Sequence, residues 1–236
     1  MLDLVYLAWN RLEFSRFSFE AMLRHTAWEH VSRLYVYDDG SEDGTAGWLR
    51  DNLERAPVPC EFVSTEYRSP VATTNDYIRR SEAGMFAKVD NDIAVPPGWL
   101  EAMLFVMDRN PTLDLLGMEA GRTKVPTDGF HGVYGWTPST HIGGVGLMRT
   151  APFKRYPAPK QNGRFGFTEW QCVYRPQRGW ITPDLMVCSL DFVPVEPWRS
   201  LSEGYRERGW QRPWPLYDPA AHYWDWIENL GFEAAA

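Results

Sequence analysis

"AKVDNDIAVPPGWL", residues 87–100, is an apolar strand-like run that stops at two carboxylates, Asp90 and Asp92, with Asn91 between them. Negative charge beside a core strand is costly unless a cation accompanies it, so the stretch asks for a positive partner. Upstream, GMFAKVD (84–90) reads as the strand itself. Downstream, Leu100, Met103, Leu104 and Met107 recur at i, i+3, i+4 and i+7. That spacing predicts a helix over 97–108, with Pro96 and Pro97 suited to its first turn.

The same alternation runs back to the N-terminus. LDLVYLAW (2–9), RLYVYDD (33–39) and CEFVST (60–65) read as strands, and 11–25, 44–54 and 71–83 as helices. Strands and helices in strict turn with short links predict an α/β fold with a mainly parallel sheet covered on both faces. In such sheets a ligand sits beyond the carboxyl ends of the strands. Three predicted strand ends carry polar chemistry: Asn10, then Asp38 and Asp39, then Asp90, Asn91 and Asp92. In a parallel sheet these groups meet along one edge. Beyond residue 110, Gly and Pro become dense. HIGGVGLMR (141–149) reads as a strand, 168–178 as a helix, and 179–193 as one or two strands. Residues 196–219 read as a loop-rich tail, with a short helix near 219–230. No internal repeat or clean boundary appears, so a single domain over 1–236 is expected.

The chain has 236 residues, enough for a substantial core without staples. Its net charge of −7 argues against a nucleic-acid partner. Cys60, Cys172 and Cys188 are unclustered, which argues against a zinc site or disulfide framework and for a reducing, cytoplasmic setting. The opening MLDLVYLAWNR lacks a basic region and is interrupted by Asp3, unlike a signal peptide, and no apolar run reaches transmembrane length. Peripheral membrane contact stays open. Of 12 Trp, five (Trp198, Trp210, Trp214, Trp224, Trp226) crowd the C-terminal tail. Core packing is the first explanation, and stacking on sugars or bases the second.

YDDGSEDGT (37–45) reads as a tight turn in which Gly40 and Gly44 supply unusual backbone angles and Asp43 or Thr45 caps the next helix. That reading leaves Asp38 and Asp39 unexplained. A carboxylate there can accept hydrogen bonds from a base N–H and from ribose hydroxyls. In VDNDI (89–93), alternate positions of an extended segment face opposite sides. One acid can then contact ribose while the other binds a metal. Hard divalent ions such as Mg²⁺ or Mn²⁺ take one or two carboxylates plus phosphate oxygens. The expected positive partner is therefore a metal carrying a diphosphate. GGVG (143–146) is not a phosphate loop, since no Walker lysine follows it. His131 and His141 read as structural; Trp136, Trp170 and Trp180 read as core or as an acceptor platform.

Five stretches in order resemble the family 2 glycosyltransferases of the GT-A fold: LAWNR (7–11), DDGSEDGT (38–45), ATTNDYIRRSEAGMFAKVDNDIAVPPGWL (72–100), GGVGLMR (143–149) and FGFTEWQCVYRPQRGW (165–180). The resemblance implies a Rossmann-like α/β/α sandwich and inverting transfer of a sugar from a nucleotide diphosphate sugar to an acceptor glycan or glycoconjugate. It also implies a nucleotide-sugar half over 1–110, an acceptor and catalytic half over 111–195, and a Trp-rich extension over 196–236. Asp39 resembles the base-contacting residue, with Asp38 its weaker neighbour. Ala8 and Asn10 would line the nucleotide site, Asp90 with Asn91 would lie near the ribose, and Asp92 would bind Mn²⁺ or Mg²⁺. Arg68 and Asn75 fall in the stretch leading back to the metal.

Glu169 takes the place of the catalytic second acid of the family's acidic pair, counted back from Arg175, while Thr168 replaces the first. The resemblance makes Glu169 the general base. Many members carry a metal-binding His near position 190; VCSLDF (187–192) offers Asp191 instead, with His222 a remote alternative. A UDP-sugar is the favoured donor, with GDP- and dTDP-sugars open. Two other readings stand beside this one: a non-catalytic nucleotide-sugar or glycan-binding protein of the same fold, and a sugar nucleotidyltransferase. The latter would show a basic glycine-rich loop where AWNRLEF (8–14) stands.

Overall fold

The computed structural model describes residues 1–118, 134–139, 142–155, 171, 176–182, 188–192 and 196–210. Thr168, Glu169, Trp170, Arg175, His131, His141, His222 and the helix expected near 219–230 lie outside the described residues.

The first strand, β1 (Leu2–Ala8), is buried along its whole length. Leu2, Leu4, Tyr6 and Ala8 enter one core cluster, while Val5 and Leu7 enter another. A period-two strand buried on both faces is what a sheet covered by helices on each side requires. β1 pairs in parallel with β2 (Val31–Asp38) and with β4 (Met85–Asp90). β2 pairs in parallel with β3 (Cys60–Ser64). Beyond β4 come β8 (Val145–Arg149), β6 (Leu115–Gly117), β9 (Arg178–Thr182) and β7 (Gly135–Pro138). β8 runs antiparallel to β4 and β6, β9 parallel to β6, and β7 antiparallel to β9. The sheet is therefore mostly parallel, as the alternation predicts. A separate two-stranded pair joins β5 (Ile93–Ala94) to β10 (Cys188–Ser189).

One face of the sheet packs on α1 (Leu12–His25), α2 (Thr45–Asn52) and α4 (Trp99–Arg109) through Phe19, Met22, Leu49, Trp99, Met103 and Met107. The other face packs on α3 (Pro70–Arg80) and α5 (Thr150–Arg155) through Tyr77, Ile78 and Phe153. A third cluster joins Phe14, Phe17 and Ala21 of α1 to Ala94, Leu190, and Trp198 and Tyr205 of α6 (Trp198–Glu207).

Two local expectations need correction. α4 begins at Trp99, not 97, because Gly98 takes a left-handed φ of 73° and ends the preceding turn. Pro96 and Pro97 thus lie ahead of the helix. The stretch 196–219 is not wholly loop: residues 198–207 form α6, with Trp198, Ser202 and Tyr205 buried at i, i+4 and i+7. Of the one or two strands expected within 179–193, two are present: β9, which starts at Arg178, and β10.

Candidate functional site

Strand register brings the polar ends together. Ala8 lies opposite Asp38, and Leu7 opposite Asp90. The chains then continue to pair past the strands: Asp39 N–H donates to Ala8 O at 2.8 Å, and Asn91 N–H donates to Leu7 O at 2.9 Å. Asn10, Asp38, Asp39 and Asp90–Asp92 therefore border one sheet edge at the carboxyl ends of β2, β1 and β4.

Asn10 is the hub of the edge. It sits in the left-handed region at φ 52°, a conformation asparagine tolerates better than most residues. Its side-chain oxygen accepts from Glu42 N–H (2.7 Å) and its backbone N–H donates to Ser41 Oγ (2.7 Å), which pins the 40s loop. Its carbonyl accepts from Asn91 Nδ2 (2.7 Å), and the same nitrogen donates to Ser15 Oγ (2.7 Å). Asp43 holds the same loop from its far side: Oδ2 accepts from Leu12 N–H at the start of α1 (2.9 Å), and Oδ1 from Thr45 N–H at the start of α2 (3.1 Å). One carboxylate thus serves two helix N-termini, where negative charge is favourable.

The adjacent acids of β2 divide their work. Asp39 Oδ1 accepts from Thr65 Oγ1 (2.9 Å), and Oδ2 accepts from Ser69 N–H (2.7 Å). Asp38 Oδ2 accepts from Ser41 N–H (3.0 Å), while its buried Oδ1 has no hydrogen-bond partner among the described residues. Each carboxylate oxygen has two lone pairs, so both acids keep acceptor capacity. Arg68 lies at the exposed rim in an ion pair with Glu42 (2.9 Å). Asn75 is half-buried on α3.

The positive partner of the β4 acids is Arg11, the residue that follows Asn10. Its Nη1 donates to Asp92 Oδ2 and to Asp191 Oδ1, each at 3.1 Å, and its Nη2 donates to Asn91 Oδ1 at 3.0 Å. Asp92 and Asp191, 99 positions apart, therefore converge on one nitrogen. Leu190 N–H, donating to Asp92 O at 2.8 Å, ties the two segments directly. Arg11 itself sits at φ 64° as the N-terminal cap of α1. A second cation, Lys88, is buried within β4 and pairs with Asp90 Oδ1.

The electrostatics follow from this crowding. Burial opposes the Arg11 charge, but Asp92 and Asp191 outweigh it and hold the guanidinium above its ordinary value. Burial pushes the Asp191 carboxyl up to about 7, with Asp92 adding to the push and Arg11 opposing it. Burial likewise raises Asp90, against the pull of Lys88.

Among the described residues, no group of three or more His, Cys, Asp and Glu is arranged to hold a metal ion. Asp92 and Asp191 nevertheless fit a hard divalent cation. They present two oxygens to one positive centre, and such ions take one or two carboxylates with the rest of the shell from phosphate and water. Sequence reasoning missed Arg11 and Lys88. The signal for Lys88 was a lone lysine in an apolar run. Arg11 was visible only as the next residue after a strand-end asparagine.

Gly144 and Gly146 serve close approach, since a Cβ at either would clash with a neighbouring isoleucine side chain. Gly144 O accepts from Asp90 N–H at 3.0 Å. Gln171 holds the start of this segment: Ile142 N–H donates to its Oε1 (2.8 Å), and its Nε2 donates to Ile142 O (3.1 Å). No helix among the described residues is long and apolar enough to cross a membrane.

Residues 6–150 match the family model described as glycosyl transferase family 2. No curated protein sequence matches the chain. Among solved structures, S. aureus TarS 1-349 is similar at 14% identity and TM-score 0.59, over 80% of this chain and 60% of that one. The same fragment in complex with UDP-GlcNAc is similar at 15% identity and TM-score 0.58, over 79% and 57%. The mannosyltransferase PcManGT of Pyrobaculum calidifontis, in complex with GDP-Man and Mn²⁺, is similar at 14% identity and TM-score 0.60, over 97% and 68%. The chain thus spans about 60% of the length of the first TarS structure, and the likeness is one of fold.

Proposed function

The chain belongs to glycosyl transferase family 2, and from that premise we propose that it moves a sugar from a nucleotide diphosphate sugar to an acceptor hydroxyl with inversion at the anomeric carbon. The observation that carries this reading is the meeting of Asn10, Asp38, Asp39 and Asp90–Asp92 at the carboxyl ends of three parallel strands, with Asp191 brought to them by Arg11. Ligands of such sheets bind at that edge.

In this reading Asp39 accepts from the base N–H, Ala8 and Asn10 line the nucleotide, and Asp90 and Asn91 border the ribose. Asp92 and Asp191 hold the divalent ion, which when bound neutralises charge on the departing diphosphate. Glu169 takes the proton from the acceptor hydroxyl as its oxygen attacks the anomeric carbon from the face opposite the diphosphate. Two things support Glu169: its order in the chain after GGVG, and the bonding of Gln171, two residues on in sequence, to Ile142, two residues before the Gly144 that accepts from Asp90 N–H. Arg68 and Asn75 border the donor from the α3 side. A uridine donor suits the Asp39 acceptor. The neighbours' complexes with UDP-GlcNAc and GDP-Man keep guanosine in the panel.

The test is thermal stability against UDP, GDP and dTDP, each with and without Mn²⁺, followed by transfer assays with Glu169→Gln. A ligand that binds only the folded state raises the melting temperature. One nucleotide should give a Mn²⁺-dependent rise. Glu169→Gln should keep that rise while transfer falls by about 10²–10⁴-fold. Unchanged transfer in Glu169→Gln would remove the base assignment, and no shift with any nucleotide would favour a non-catalytic glycan-binding protein.

A further inference from the structure

We propose that Arg11 competes with the divalent ion for the Asp92–Asp191 pair, so that the metal enters only as the guanidinium leaves. This rests on the reading of Asp92 and Asp191 as the metal-binding pair.

The geometry sets the two cations in competition. Arg11 Nη1 lies 3.1 Å from Asp92 Oδ2 and 3.1 Å from Asp191 Oδ1. A divalent ion held by Asp92 and Asp191 would need the same carboxylate lone pairs that this nitrogen engages, so the guanidinium and the ion would compete for them. The guanidinium is also held on one side only. Among the described residues, Nη1 and Nη2 carry its hydrogen bonds, to Asp92, Asp191 and Asn91, while Nε is buried with no partner. A buried donor without an acceptor is a cost of the position seen here. Leaving the carboxylates relieves that cost, provided another cation arrives to replace the lost charge. Arg11 has a new partner within reach in the same event: the diphosphate that arrives with the metal is an acceptor suited to a guanidinium fork.

The consequence is coupling. Metal alone must displace Arg11 without compensation and binds weakly. Metal with a nucleoside diphosphate gains the guanidinium as a ligand contact and binds more tightly. By linkage the nucleotide gains from the metal equally.

The experiment measures Mn²⁺ binding to the full chain without nucleotide, by the electron paramagnetic resonance signal of free Mn²⁺. Wild type is compared with Asp92→Asn, Arg11→Gln, Arg11→Met and Arg11→Gln combined with Asp92→Asn. Arg11→Met keeps an aliphatic stem beside Phe14, whose ring lies 5.9 Å from the Arg11 guanidinium carbon, and serves if the glutamine chain fails to fold. Removal of the competing charge should tighten Mn²⁺ binding by about tenfold, in the range of couplings between contacting groups, and Asp92→Asn should abolish the gain. Equal, Asp92-dependent Mn²⁺ affinity with and without Arg11 overturns this proposal and leaves the metal pair standing. Absence of Mn²⁺ binding in every chain overturns the metal pair and the competition together.

Discussion

Gly144 shows how finely one residue sets the candidate site. A Cβ built there would lie 2.8 Å from Ile93 Cγ1 and 3.1 Å from Asp90 Oδ2, while its carbonyl already accepts from Asp90 N–H. Gly144→Ala should therefore push the Asp90 carboxylate and the β5 strand together. An overpacked site of this kind costs about 1–3 kcal/mol. Nucleotide binding should weaken as well, read by the same thermal-shift titration. Gly47, inside α2 with nothing within 4 Å of its missing Cβ, is the control. Gly47→Ala should stabilise by about 0.5–1 kcal/mol and leave nucleotide binding alone. A Gly144→Ala chain that behaves like Gly47→Ala would detach Asp90 from the donor site. The two positions look alike in sequence. So do the other facts at this scale: Asp92 announces itself in a D-x-D triplet, whereas its partner Arg11 lies 81 positions away and carries no period that links them. Pairings set by tertiary convergence leave no local trace, which is why the cation beside Asp92 was read as a metal and not as a side chain.

At the scale of elements, α3 is fastened to the sheet by polar contacts as well as by its apolar face. Ser69 caps it, accepting from Ala72 N–H, and Pro70 occupies its first turn. Tyr77 OH and Ser81 Oγ donate to Asp3 Oδ2 of β1 at 3.1 and 2.9 Å, and Tyr37 OH of β2 donates to Asp76 Oδ2 at 3.1 Å. Burial would raise the Asp76 carboxyl, but hydrogen bonds from Arg79 and Tyr37 and the charge of Arg80 outweigh it and hold it below its ordinary value. A depressed carboxylate stabilises the fold fully above its unfolded pKa of about 3.9, and loses that contribution as pH falls through the lower folded value. Asp76→Asn should thus lower the urea midpoint at pH 7, and the gap to wild type should narrow below about pH 4. A gap that stays constant with pH would show that the carboxylate charge is not what holds α3. The helix itself is legible in sequence as a short helix over 71–83, against the observed Pro70–Arg80, and all four N-terminal strands are legible too, because local pattern specifies them. α6 was not: Trp198, Ser202 and Tyr205 have helical spacing, but only one is aliphatic or aromatic per turn, and the surrounding Arg, Glu and Gly read as loop. Burial against α1 makes the helix, and that is a tertiary cause.

Across the whole molecule, the candidate site is closed by contacts between distant parts of the chain. Phe17 of α1 meets the Trp198 ring edge-on at 4.8 Å, and Phe14 meets Tyr205 edge-on at 5.0 Å. The same cluster includes Leu190, next to Asp191, and Ala94, two residues beyond Asp92. Packing of α6 therefore supports the segment that delivers Asp191 to Arg11. Trp198 is buried, and truncation of such a side chain to alanine costs about 3–5 kcal/mol. If the cluster only adds stability, Trp198→Ala should lower the melting temperature and leave nucleotide and Mn²⁺ binding intact in the fraction that is folded. If it positions Asp191, metal-dependent nucleotide binding should fall further than the stability loss explains, while binding without metal changes little. The second outcome is expected, because Leu190, next to Asp191, packs in the same cluster as Trp198, and that packing adds to the β10–β5 pairing, the Leu190-to-Asp92 backbone bond and the Arg11–Asp191 ion pair that hold the segment. Trp48, packed at 5.9 Å from Phe19 on the opposite flank of α1, gives the comparison. Trp48→Ala should cost less stability, since its side chain is only partly buried, and should leave the metal dependence of nucleotide binding as it is. Equal loss of metal-dependent binding in both variants would assign the effect to general loosening of α1, and would remove α6 from the account of the site.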